Sequence, residues 1–223
     1  MKLPFLKTPA DFPPPSAALA DPNGLLAIGG KLTPEWLLKA YSQGTFPWFN
    51  EGEPILWWSP SPRMVLFPSE FRLSRSLSKT IRHSGMQVRF NTAFSDVMHA
   101  CAAPRKTEHG TWISPRIIQA YTQLHHLGFA HSIETWKNGE LIGGLYGVTL
   151  GKIFFGESMF HRVNDASKVA MAYLVQHLEK QSCPLIDCQM KTGHLASLGA
   201  QEIPGSDFQA YLAKNCGQSP LLF

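Results

Sequence analysis

The sequence predicts an α+β protein: a mixed sheet flanked by helices, entered through a small amino-terminal α+β unit. Three observations predict it. Three strand-like stretches run consecutively in the middle of the chain, followed by a long helical stretch and one more strand. Residues 1–62 are instead punctuated by proline, glycine and aromatic side chains, so they form a separate small unit. With 44% hydrophobic and 16% charged residues, the 223-residue chain can bury one good core or two unequal ones.

The elements follow in order. Pro22-Asn23-Gly24 and Gly29-Gly30 bracket the short strand-like Leu25-Leu26-Ala27-Ile28. A helix comes next, with Thr33 as N-cap, Pro34 at its first position and Gly44 as its stop. Phe46-Pro47-Trp48-Phe49 and Leu56-Trp57-Trp58-Ser59-Pro60 are aromatic and broken by proline, so they cannot be regular helix. A boundary near Ser61-Pro62-Arg63 divides a small amino-terminal domain, 1–62, from a larger domain, 63–223. The spacing then predicts a helix from about Ser74 to His83 ending at Gly85, a strand Gln87–Phe90 and a helix Phe94–Cys101. Ser114-Pro115 caps another helix, which stops at Gly128. Strands Ala130–Trp136, Leu141–Leu150 and Lys152–Phe160 are joined by the turn-forming Asn138-Gly139 and Gly151-Lys152. A helix Ala166–Leu178, a strand Leu185–Met190, a short helix near His194–Leu198 and a helix Asp207–Lys214 come last. This order also matches the core of GNAT-type acyltransferases, although many sheets share it.

Composition narrows the function classes. No apolar run approaches the roughly 20 residues that span a bilayer, and Pro4, Pro9 and Pro13-Pro14-Pro15 spoil a signal peptide, so the cytoplasm is expected. The cysteines Cys101, Cys183, Cys188 and Cys216 form no CxxC and the histidines no HExxH, which argues against a structural metal or a disulfide framework. The net charge of +4 is localised: residues 63–90 hold Arg63, Arg72, Arg75, Lys79, Arg82 and Arg89 against Glu70 alone. A basic face of that kind suits a polyanion. Arg75, Lys79 and Arg82 share one helical face, opposite Leu77 and Ile81, and are the candidate phosphate contacts. A solvated charged face is the plainer alternative.

Two strands carry candidate chemistry. In Leu185-Ile186-Asp187-Cys188-Gln189-Met190, alternation puts Asp187 and Gln189 on one face and Ile186 and Cys188 on the other. Buried polar groups need partners, because each costs about 1–3 kcal/mol unpaired. The pair therefore serves either chemistry or a nearby loop. In Ile153-Phe154-Phe155-Gly156-Glu157-Ser158-Met159-Phe160, Gly156 suggests a bulge that brings Phe154 and Glu157 to one face. Glu157 among aromatics is read as functional over an ion-paired edge residue. Trp36 and Trp136 are expected in the core. Trp48, Trp57-Trp58 and Trp112 lie in loop-like contexts, where flat rings can hold a base or an apolar side chain, or simply pack. His125-His126 and His177 are read as helix surface, and His194 as a possible helix cap.

Several segments, in order, resemble one family, the bacterial leucyl/phenylalanyl-tRNA–protein transferases. They are Pro22-Asn23-Gly24-Leu25-Leu26-Ala27, Gly44-Thr45-Phe46-Pro47-Trp48-Phe49, Leu56-Trp57-Trp58-Ser59-Pro60, Gly110-Thr111-Trp112-Ile113, Gly156-Glu157-Ser158-Met159-Phe160, Leu185-Ile186-Asp187-Cys188-Gln189 and His194-Leu195-Ala196-Ser197-Leu198-Gly199-Ala200. The resemblance implies a small amino-terminal domain packed on a GNAT-like one. It implies transfer of Leu or Phe, with Met as a further donor, from aminoacyl-tRNA to proteins beginning with Arg or Lys, which marks them for N-end-rule degradation. No cofactor is implied, and a monomer is expected. By position, Asp187, Gln189 and Glu157 match the catalytic set, Tyr41, Trp48, Trp112 and Tyr121 match aromatics lining the site, and Leu145, Phe154 and Met171 match the donor side-chain pocket. Two positions depart from the family pattern: Lys191-Thr192-Gly193 stands where an Asn is usual, and Leu145 where Met is often found.

An aminoacyl-tRNA ester is already activated, which agrees with the lack of a Ser-His-Asp or Cys-His signature. Asp187 is expected to polarise Gln189, whose amide oxygen orients the attacking amine, while Glu157 attracts either the acceptor's side-chain cation or its amine. The rival readings are an acetyl-CoA-dependent GNAT N-acetyltransferase and a non-catalytic tRNA-binding module. The turn His161-Arg162-Val163-Asn164-Asp165-Ala166 lacks the glycines with which the former cradles pyrophosphate.

Overall fold

A computed structural model of the chain describes residues 3–103 and 111–223. Met1-Lys2 and Gly110, the first residue of the Gly110-Thr111-Trp112-Ile113 motif, lie outside the described residues.

Strands β1 (Phe5–Leu6), β2 (Leu25–Gly29), β3 (Phe46–Pro47) and β4 (Leu56–Trp58) form a small sheet in the order β1-β2-β4-β3. Helix α1 (Pro34–Ser42) links β2 to β3, with Pro34 at its first position and Gly44 at φ 72° just past its end. The aromatic segments expected only to be non-helical are therefore short strands. Trp57 proves to be core: it is fully buried, its Nε1 donates to Gly29 O at 2.8 Å, and Phe12 meets it edge-on at 4.9 Å.

The second part begins at β5 (Arg63–Leu66) and runs through α2 (Arg75–His83), β6 (Gln87–Phe90), α3 (Phe94–Ala102), α4 (Pro115–His126), β7 (Ala130–Lys137), β8 (Glu140–Leu150) and β9 (Ile153–His161). It continues with α5 (Ala166–Lys180), β10 (Ile186–Gln189), α6 (Gly193–Ser197), β11 (Gln201–Ile203) and α7 (Gly205–Asn215). The strands form one sheet in the order β11-β5-β10-β9-β8-β7-β6. The expected meander β7-β8-β9 is antiparallel, with Asn138 at φ 51° and Gly139 at φ 81° in its first turn. The single parallel pair of the large sheet among the described strands, β9 with β10, needs a crossover, and α5 supplies it.

Sequence periodicity did not show β5 and β11. β5 is buried on both faces, so it reads as a plain apolar run headed by a charge, and β11 is only three residues long. Both faces of the large sheet are covered. One core joins Val65 and Phe155 to Tyr41, Trp57 and Tyr121, so it runs from the large sheet into the small one. The other joins Met64 and Leu66 to Leu145, Phe154 and Met171 beneath α5.

Candidate active site

A bulge in β9 builds the site. Gly147 of β8 faces Gly156 and Tyr146 faces Ser158, which leaves Glu157 as the extra residue. The close packing explains the glycine opposite: a Cβ on Gly147 would lie 2.3 Å from Phe155 O. Glu157 does not join Phe154, as expected from the sequence. It turns to the core of Phe155, where Tyr41 packs at 5.0 Å from the Phe155 ring, while Phe154 stays in the opposite core. The bulge inverts the faces after Glu157 rather than before it.

Three side chains close around the carboxyl. Tyr41 OH donates to Glu157 Oε1 at 2.7 Å, Tyr121 OH to Oε2 at 3.1 Å, and Gln189 Nε2 to Oε1 at 2.9 Å. The two phenol oxygens lie 2.5 Å apart. Proton counting decides the state of this ring. With Glu157 ionised, both phenols donate to it and no proton bridges the phenol oxygens. A proton on Glu157 lets carboxyl, Tyr121 and Tyr41 donate around the ring, each filling one contact. Burial pushes the Glu157 pKa up to about 7, against the lowering effect of the Tyr41 and Tyr121 hydrogen bonds. Burial and the neighbouring Glu157 charge likewise hold both phenols well above their ordinary range, so neither ionises near neutrality.

As alternation predicts, Asp187 and Gln189 lie on the Phe155 and Glu157 face and Ile186 and Cys188 on the other, but the Asp187 carboxylate does not bond the Gln189 side-chain amide. It is fully buried and receives a bidentate Arg63 guanidinium, Nε to Oδ1 at 2.7 Å and Nη2 to Oδ2 at 2.6 Å. Its Oδ1 also accepts the Gln189 backbone N–H at 2.9 Å. That bond holds Gln189 at φ 62°, and the Met190 N–H closes a three-residue turn on Cys188 O at 2.8 Å. Such a turn is strained for a residue with a Cβ. Gln189 stays on the Asp187 face, and its side chain reaches Glu157. The Gln189 amide oxygen accepts no hydrogen bond from a described residue.

Arg63 was missed as a site residue and counted in the basic stretch. At 1% exposure, paired with Asp187 and lying over the Phe46 and Phe208 rings, it belongs to no basic face. A lone arginine heading the apolar run Met64-Val65-Leu66 was the available signal. The other five cations of that stretch, Arg72, Arg75, Lys79, Arg82 and Arg89, are exposed. Arg75, Lys79 and Arg82 line the outer face of α2, while Leu77 is buried and the Ser74 hydroxyl caps the helix.

The remaining expectations divide. Leu145, Phe154 and Met171 are all buried in one core. Trp48 is 38% exposed and packs edge-on against Trp58, while Trp112 is half-buried against the other core. Neither ring makes a hydrogen bond or ring contact to the Glu157 network among the described residues. His194 caps no helix: Thr192 Oγ1 accepts Leu195 N at 3.1 Å and does that work for α6.

Comparison with known proteins agrees across the chain. Residues 65–213 match the family model described as leucyl/phenylalanyl-tRNA protein transferase, and residues 30–61 match the model of its N-terminal domain. The chain is 61% identical to the leucyl/phenylalanyl-tRNA–protein transferase of Nitrosomonas eutropha, over 94% of this chain and 89% of that one. It is 57% identical to the protein of the same name from Aromatoleum aromaticum, over 98% and 92%. A GCN5-related N-acetyltransferase from Kribbella flavida aligns at a TM-score of 0.39 and 10% identity, over 76% of this chain and 60% of that one. A score so low decides nothing about chemistry.

Proposed function

The chain belongs to the leucyl/phenylalanyl-tRNA–protein transferase family, and from this we infer that it is an aminoacyltransferase carrying leucine or phenylalanine from tRNA to a protein. The observation that carries the mechanism is the Glu157 ring, with the Gln189 amide anchored against it and its oxygen left unpaired. The ester needs no enzyme nucleophile, only an uncharged amine held against its carbonyl. The Gln189 oxygen accepts one amine hydrogen and orients the lone pair. The carbon–nitrogen bond forms, the bond from the acyl carbon to the ribose oxygen breaks, and the ribose oxygen leaves with a proton.

Glu157 handles the amine rather than the acceptor's side-chain cation. An α-ammonium has a pKa of about 7.7–8, close to that of Glu157, so a proton passes between them with little cost. The acceptors are proteins beginning with Arg or Lys, marked in this way for N-end-rule degradation, and methionine is a further donor. Leu145, Phe154 and Met171 receive the donor side chain, and Trp48 and Trp112 flank the entry. A monomer of two domains, 1–62 and 63–223, suffices for this chemistry. A cytoplasmic location comes with the aminoacyl-tRNA substrate; among the described residues, no helix is long and apolar enough to cross a membrane.

Mixing the protein with leucyl-tRNA and a peptide beginning with Arg should add one leucine, read by mass; an unchanged peptide removes the assignment. Gln189→Ala should lower kcat at least tenfold with tRNA affinity within twofold, because only the group that orients the amine is lost. Equal losses in both would make Gln189 an RNA contact instead. Replacing Arg75, Lys79 and Arg82 together with Ala should flatten the salt dependence of tRNA binding, by about 0.7–0.9 in log–log slope per lost phosphate contact. An unaltered slope moves the tRNA surface away from α2.

A further inference from the structure

The strand that carries Glu157 ends at His161, and a cavity of about 410 Å³ opens where the chain turns into α5. His161, Asn164, Asp165, Ser167, Lys168 and His194 line it. Three of these six are basic. Asp165 is the acid among them, and its Oδ1 already accepts from Lys168 Nζ at 2.8 Å. Burial, and after it the charges of Lys168 and His161, hold the His194 pKa below its ordinary value. Cations that repel one another across a cavity are relieved when an anion occupies it.

The backbone favours the same occupant. α5 is 15 residues long and its first turn faces the cavity, yet the Asp165 side chain does not cap it. The Ser167 and Lys168 N–H groups have no partner among the described residues. Ser167 is only 4% exposed, and its hydroxyl also lacks a partner among them. The hydroxyl opens onto the polar cavity, where it is available to donate to an acceptor. The turn is held rigidly: Thr135 Oγ1 donates to Ala166 O at 2.8 Å, and a Cβ on Gly143 would lie 2.5 Å from Ala166 Cβ. Helix amides, a hydroxyl and cations around one space make an anion site.

We infer that this cavity holds backbone phosphates at the 3′ end of the donor tRNA and so aims the aminoacyl ester at Glu157 and Gln189. The inference rests on the aminoacyltransferase reading above. Four residues of strand separate Glu157 from His161, about 13 Å at 3.3 Å per residue. The ester is one ribose away from its own 5′ phosphate, so the first phosphodiesters of the RNA fall within that reach. Phosphate contacts of this kind set register without reading sequence.

Three donors test it: phenylalanyl-tRNA, the 3′-phenylalanyl ester of cytidylyl-adenosine with one phosphodiester, and that of adenosine with none. The double variant Lys168→Ala/His194→Ala should raise KM about tenfold for the first two, and at least fivefold less for the third. Ser167→Ala, a milder change that guards against misfolding, should raise KM for the first two about threefold with the same discrimination. Equal effects on all three donors, or none on any, overturn the phosphate site. Saturable inhibition of the phenylalanyl-adenosine reaction by coenzyme A assigns the cavity to a nucleotide cofactor and overturns it too. Wild-type protein inactive with every donor defeats the transferase reading itself, a failure distinct from the others.

Discussion

Glu157→Gln should leave a folded protein whose kcat/KM for transfer is about 10²–10⁴ lower, the range expected for loss of a positioned proton-transfer group. Glutamine is close in shape: its oxygen can accept from Tyr41 and its NH2 donate to the Tyr121 oxygen, so the ring loses its titrating proton and little packing. The pH profile separates this role from a structural one. In the wild type, kcat/KM should rise through a midpoint near 7 as Glu157 ionises. In the variant that limb should vanish, leaving only the rise of the acceptor amine at about 7.7–8. Stability carries the opposite sign. The Glu157 pKa is raised on folding from 4.5 to about 7, so its protonated form stabilises the fold fully below 4.5, and this contribution is lost as pH rises through 7. Wild-type Tm should therefore fall between pH 5 and pH 8 by a component that the variant lacks. Identical pH profiles for the two proteins would remove Glu157 from proton transfer.

Asp187→Ala should destabilise the fold by about 3–5 kcal/mol, because it leaves the Arg63 guanidinium buried without its partner. Denaturant titration measures this directly. The sequence suggests a purely catalytic loss at this position; the structure gives Asp187 two supporting tasks, neutralising Arg63 and anchoring the Gln189 turn. A compensated variant tells them apart. Arg63→Met/Asp187→Leu removes both charges and should recover most of the lost stability, since buried ion pairs exchange well for apolar side chains. It should nonetheless remain at least tenfold impaired in kcat, because no carboxylate holds Gln189 at positive φ. If Asp187→Ala proves as stable as wild type yet inactive, Asp187 acts on the chemistry itself.

What could be read without coordinates was local. Proline at Pro34, the turn pair Asn138-Gly139 and the apolar spacing of the meander depend on backbone preferences within a few residues, and those helices and turns stand where the spacing puts them. Gly156 signalled a bulge for the same reason, and ordered motifs along the chain pointed to the family. Its face was another matter, since alternation counts residues and cannot say on which side of the glycine the extra one lies.

Tertiary structure decided everything that depends on partners distant in sequence. Tyr41 and Glu157 are 116 residues apart, and Arg63 and Asp187 are 124 apart. Arg63 looked like one cation of a basic face until a buried carboxylate claimed it, and the Asp187 carboxylate, expected to polarise the Gln189 side-chain amide, accepts the Gln189 backbone N–H instead. The pKa of Glu157 exists only in the assembled ring, because burial and hydrogen bonding are properties of surroundings that no single segment contains.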